Sequence, residues 1–210
     1  AKLLGMPALI VMPSDAPQVK IEGVRGDGAD IHLYDREREN REAIAAELAR
    51  ARGAVLVPSF DDPDIIAGQG TAGLEFAEQM SPPLDHLICC AGGGGLISGI
   101  ALAFEKRSPT TRIWASEPET HDDWKRSLEA GEIRANAPGT RSICDAILTP
   151  QPGELTWPIG KRLLSGGFAV SDDDVRRAVW AAYTHLDGLI VEPGGAAALA
   201  AALCGLPREM

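Results

Sequence analysis

The sequence lacks any apolar run long enough to cross a bilayer, which excludes a membrane-spanning helix and a membrane partner. It shows no secretory leader pattern, because Lys2 is followed by only a few apolar residues and Pro7 and Asp15 interrupt any continuation. Positive charge is scarce. Twenty Lys and Arg stand against 30 Asp and Glu, a net charge of −10, and a nucleic-acid surface needs clustered Lys and Arg. Cysteine is limited to Cys89, Cys90, Cys144 and Cys204, with neither a CxxC motif nor a metal-ligand spacing. These read as small buried residues in a reducing, cytoplasmic compartment. Cys89 and Cys90, adjacent in a strand-like run, are expected on opposite faces. The scattered His32, His86 and His185 read as structural.

What is present is an apolar fraction of 45% in 210 residues, enough for a substantial core. Short apolar runs alternate with longer stretches of helical spacing. Strands are expected at Pro7–Pro13, Ala29–Asp35, Ala54–Phe60, His86–Ala91, Thr111–Pro118 and Phe168–Ser171, with another at Gly188–Pro193. Helices are expected at 18–24, 36–52, after Asp61, after the glycines at 92–95, from Ser171 to about Leu186, and in the Ala-rich end. This order predicts an α/β fold with an open, mostly parallel sheet and helices on both faces. A composition shift predicts a boundary that leaves residues 1–57 as part of a small domain and 58–210 as a larger one.

The run HLICCAGGGGLISG, His86 to Gly99, carries the chemistry. A strand ends in four glycines and a helix pattern begins at once. Helix N-termini expose unpaired N–H groups and partial positive charge. Successive N–H groups without side chains between them converge on one anion. A Walker loop would need Gly-Lys-Ser/Thr, which is absent. A dinucleotide loop would need GxGxxG, and Ile97 or Ser98 stands where its third glycine belongs. Glu117, at the end of the next strand, keeps a nucleotide-binding domain as one alternative. A cup for one phosphate monoester is the other, beside a plain glycine loop.

CCAGGGGLISG resembles the tetraglycine loop of the fold-type II pyridoxal-phosphate enzymes, in the threonine/serine dehydratase and serine racemase branch. Matching segments follow in order: IIAGQGTAGLE (65–75), SEPETHDDWKRSL (116–128), RSICDAI (141–147), GELTWPI (153–159) and LIVEPGGAAALAA (189–201). The resemblance implies that pyridoxal 5'-phosphate is held through its phosphate by the N–H groups of Gly92, Gly93, Gly94, Gly95 and Leu96. It implies a divalent cation, Mg²⁺ or Ca²⁺, bound by Glu117, the main-chain carbonyl of His121 and Asp123. Hard oxygen donors suit those ions; otherwise Asp122 and Asp123 would only cap a helix. It implies a homodimer acting on a small β-hydroxy amino acid, L-threonine or L-serine, to give a 2-oxo acid and ammonia. Serine racemase and 3-hydroxyaspartate dehydratase are alternatives within the branch.

The resemblance also marks what has no counterpart. None of Lys2, Lys20, Lys106, Lys125 and Lys161 lies in the context of the family's cofactor lysine, so no catalytic residue is assigned. The upstream loop that grips the substrate carboxylate has no match either. The chain stops at Gly205–Met210, before the family's final ser-gly-asn strand. The expectation is an internal fragment, inactive alone, with a non-catalytic remnant as its limiting case. Ala146 stands for a family glycine, Gly194 for Ser or Thr, and Cys90 for Pro.

Overall fold

The computed structural model describes residues 1–36 and 38–204, so Glu37 and the Gly205–Met210 ending lie outside the described residues. The chain divides into two compact units, Ala1–Val57 and Pro58–Met210.

In the first unit, β1 (Leu9–Pro13) pairs in parallel with β2 (Asp30–Tyr34), Leu9 opposite Asp30 and Pro13 opposite Tyr34. Helix α1 (Gln18–Gly26) makes the crossover that a parallel pair requires. Helix α2 (Arg41–Arg52) starts later than its charge pattern suggested, because Asn40 caps it by accepting the Ala43 N–H at 2.8 Å. Met12, Ile21 and Tyr34 form the small buried centre.

The second unit holds the site. Three parallel strands, β3 (His86–Cys90), β4 (Arg112–Pro118) and β5 (Leu164–Val170), lie in the order β3-β4-β5. Around them run α3 (Pro63–Gln79), α4 (Gly95–Arg107), α5 (Asp123–Ala130), α6 (Thr156–Leu163), α7 (Asp172–His185) and α8 (Pro193–Leu203). Both faces of the sheet are covered. On one face Leu87 and Cys89 pack with Ile97, Ala101, Phe104 and Trp124. On the other, Ile88 and Cys90 pack against a cluster of Cys144, Val175 and the alanines of α8. The two adjacent cysteines therefore do face opposite ways. Burying a side chain the size of Phe104 or Ile97 is worth roughly 1.5–3 kcal/mol. Small residues let helices approach: a Cβ on Gly73 would lie 2.8 Å from Ile100 Cα, and one on Gly99 would lie 2.4 Å from Ile66 O.

Two expected strands do not form. Residues 54–60 join no strand ladder among the described residues, and Val55 and Val57 are exposed; without a ladder neighbour, β propensity alone leaves a connector. Residues 188–192 are likewise a loop, with Ile190 at the surface. Strand β5 is longer than expected. Its first half contains Gly166 and Gly167, which show no strand pattern because Trp114 and Lys125 fill the space where side chains would stand. Cys204 departs from the buried reading: it is exposed, and its thiol donates to Asp174 Oδ1 at 2.8 Å. No helix of the described residues is long and apolar enough to cross a membrane.

Helix α6 begins without a cap of its own. Asp61, nearly a hundred residues earlier, accepts the N–H groups of Glu154 (2.9 Å), Leu155 (2.9 Å) and Thr156 (3.2 Å). Asp61→Ala is expected to cost about 1–2 kcal/mol, as for other caps, measured as a lower urea midpoint at unchanged slope.

Helix α7 is closed by a capping box between Ser171 and Asp174. Hydrogen bonds from Cys204 and then Ser171, with Arg177 alongside, hold the Asp174 carboxyl at about 2, below the usual 3.8. A depressed native value adds stability that is complete above 3.8 and is lost as pH falls toward 2. Asp174→Asn is therefore expected to lower the melting temperature at neutral pH and to flatten its decline between those two values.

Candidate functional site

The C-terminal edge of the three strands carries Cys90, Pro118 and Val170. Beyond β3 the chain turns through Gly92, Gly93 and Gly94 directly into α4. The loop's hydrogen bonds run through its carbonyls. Gly92 O accepts the Trp124 indole N–H at 2.7 Å. Gly93 O accepts the Thr156 hydroxyl at 2.6 Å and the Gly153 N–H at 3.1 Å. Gly94 O accepts the Ser98 N–H and opens the helix. The N–H groups from Gly92 to Leu96 have no acceptor among the described residues, although Gly93, Gly94 and Gly95 are buried. Buried donors without acceptors at a helix N-terminus are an arrangement able to receive an anion.

The absence of side chains has a second cause, which the sequence did not disclose. Gly94 has φ 97°, a left-handed conformation that side chains resist. A Cβ there would lie 2.2 Å from the Trp124 ring, and one on Gly93 would lie 2.3 Å from the Phe60 ring. The glycines are needed by the packing behind the cup as much as by the opening in front.

At the end of the central strand, Glu117 is fully buried. Its Oε1 accepts the N–H of Trp124 and its Oε2 that of Lys125, each at 3.1 Å. It is thus the cap of α5, the role weighed above for Asp122 and Asp123. Asp122 makes no side-chain cap bond and pairs with Arg126 Nε at 2.7 Å. Asp123 is 1% exposed. Its Oδ1 accepts from Asn136 at 2.5 Å, while its buried Oδ2 has no partner among the described residues. Burial, and next the Asp123 carboxylate, push Glu117 well above the usual range. Burial drives Asp123 from 3.8 up to about 7, against the lowering pull of the Asn136 bond. Two buried carboxylates that disfavour each other's charge, one with an oxygen unsatisfied, suit a positive ion of hard character. No group of three or more His, Cys, Asp or Glu side chains stands ready for a metal among the described residues. The third expected ligand is a main-chain carbonyl, at His121. The His121 ring is buried and tied to Thr120 at 3.0 Å.

Trp124, Thr156, Asp61 and Asn136 escaped the sequence reading. Thr156 and Asp61 act across long separations that leave no periodic mark, whereas Asn136 sits in an irregular stretch before a proline. Two departures from the family pattern turn out to be neighbours: a Cβ on Gly194 would lie 3.4 Å from Ala146 Cβ. A methyl at one position faces its absence at the other. Lys161 donates to Gly131 O, and no lysine among the described residues hydrogen-bonds to the glycine loop.

Among curated proteins, the chain is 37% identical over 202 residues to serine racemase of Schizosaccharomyces pombe, covering 96% of this chain and 62% of that protein. It is 41% identical over 202 residues to L-threo-3-hydroxyaspartate ammonia-lyase of Pseudomonas sp., with the same coverage of each. The chain therefore spans about three fifths of the length of these relatives. Among solved structures, maize serine racemase superposes with a TM-score of 0.90 at 40% identity, over 100% of this chain and 61% of that one. The T.th. threonine deaminase gives the same TM-score and identity, over 99% of this chain and 68% of that one. The family model for pyridoxal-phosphate dependent enzymes matches residues 1–209, and the chain belongs to that family.

Proposed function

We propose that this chain serves a pyridoxal-phosphate-dependent ammonia-lyase of the threonine/serine dehydratase type, converting a β-hydroxy amino acid to a 2-oxo acid and ammonia. One observation carries the reading: the loop from Gly92 to Leu96 turns its carbonyls back onto Trp124, Gly153 and Thr156 and leaves its N–H groups free. Those N–H groups, with the N-terminal end of α4 behind them, would hold the phosphate of the cofactor. When bound, pyridoxal phosphate supplies an electron sink for the substrate α-carbon. The chain's own part would be to fix the phosphate at the glycine loop, at the C-terminal end of β3. Residues 58–210 are the cofactor-binding domain in this reading. Proton removal is assigned to no residue, since the family's lysine has no match here. A racemase or a 3-hydroxyaspartate dehydratase is the second reading, favoured by the names of the two curated relatives.

The same reading places Mg²⁺ or Ca²⁺ at Glu117, the carbonyl of His121 and Asp123. Its support is the buried, unpartnered Asp123 Oδ2 beside a second buried carboxylate.

Titration with pyridoxal phosphate, or with inorganic phosphate as a probe, is expected to shift the amide resonances of Gly92 to Leu96. Trp124→Phe keeps an aromatic ring and removes the donor to Gly92 O, so it should weaken that binding several-fold, by about 1 kcal/mol for one hydrogen bond. Loop resonances that ignore both ligands would remove the reading. For the cation, added Ca²⁺ or Mg²⁺ should raise the melting temperature of the wild type and leave that of Asp123→Ala unchanged. A wild type indifferent to both ions would end the cation assignment.

A further inference from the structure

We propose that Asn136 is a positioning residue of the cation site, fixing which oxygen of Asp123 faces the ion. The proposal rests on the cation reading above and deepens it. The side-chain amide of Asn136 has two N–H donors and one acceptor oxygen, and the fold uses all three. Nδ2 donates to Asp123 Oδ1 at 2.5 Å and to Thr149 O at 2.9 Å. Oδ1 accepts from Arg126 Nη2 at 2.5 Å. The orientation is therefore determined by its partners. A flipped amide would set its oxygen against Thr149 O and the Asp123 carboxylate, and its NH₂ against a guanidinium.

Arg126 is held in turn. Its Nε pairs with Asp122 Oδ1 at 2.7 Å, and its Nη1 donates to Ala135 O at 3.2 Å. The Asn136 backbone N–H donates to Pro150 O at 2.7 Å, which fastens the loop that carries it. The relay runs from Asp122 through Arg126 and Asn136 to Asp123. It occupies Oδ1 and leaves Oδ2 as the one oxygen of Asp123 without a partner among the described residues. A cation ligated there meets Asp123 through a single oxygen whose rotation is already blocked. Without Asn136, the carboxylate would be free to turn in its pocket, and part of the binding energy would go into ordering it.

A bland alternative is that Asn136 only braces the 131–150 loop through Thr149 and Pro150. The two roles differ in what they do to ion binding. Mn²⁺ serves as the probe, because it accepts oxygen ligands and its free fraction is read directly by electron paramagnetic resonance. Asn136→Leu is expected to weaken Mn²⁺ binding about tenfold or more, in the range seen when partners of metal ligands are removed. It should also shrink the Ca²⁺-induced rise in melting temperature. A lower melting temperature without ion, together with unchanged Mn²⁺ affinity, would mean bracing alone and would overturn the proposal. Should Asn136→Leu fail to fold, Arg126→Lys keeps the charge near Asp122 but cannot hold the same fork of contacts. It should give a smaller loss in the same direction, and undiminished affinity in that variant would equally overturn the role. A wild type that binds no Mn²⁺ rejects the cation site itself, whereas wild type and Asn136→Leu binding equally well reject only the positioning role.

Discussion

The shape of the glycine corner depends on which way two peptide groups face. The carbonyls of Gly92 and Gly93 are drawn backward by an indole N–H, a threonine hydroxyl and a backbone N–H. A peptide plane that turns its oxygen one way turns the neighbouring N–H the other way. The free N–H groups of the loop are therefore set from behind, by donors on the far side of the peptide planes. Asp61 belongs to the same construction, since it holds the turn that delivers Gly153 and Thr156.

The second constraint is charge burial. Glu117 ends the central strand with no exposed surface, and Asp123 follows six residues later on α5. A lone carboxylate at either place would be protonated at modest cost. Two of them, together with a helix N-terminus already spent on Glu117, leave one Asp123 oxygen without a partner among the described residues. Trp124 lies between the two devices. Its backbone N–H is taken by Glu117, and its indole N–H holds the glycine loop.

The periodic features were legible in the sequence. Alternating runs indicated the parallel α/β order, and the adjacent cysteines faced opposite layers because strand geometry allows nothing else. The glycine corner was readable as a strand-to-helix turn, because the apolar run stops at the glycines and a helical pattern resumes right after them. What stayed hidden was non-periodic. Asp61 looked like an ordinary helix entry, Asn136 like loop filler, and Glu117 gave no sign that it caps α5. The two strands that failed, 54–60 and 188–193, had the right residues but no partner edge, and partner edges are not written in any local window.

The connector at 54–57 has a practical consequence. It carries two exposed valines and has no ladder partner among the described residues. Such a stretch offers unpaired backbone groups to a second copy and an entry point to a protease. The net charge of −10 pushes copies apart, while this short apolar stretch draws them together. The colloidal behaviour of the chain is therefore sensitive to ionic strength: added salt screens the repulsion and leaves the attraction in place.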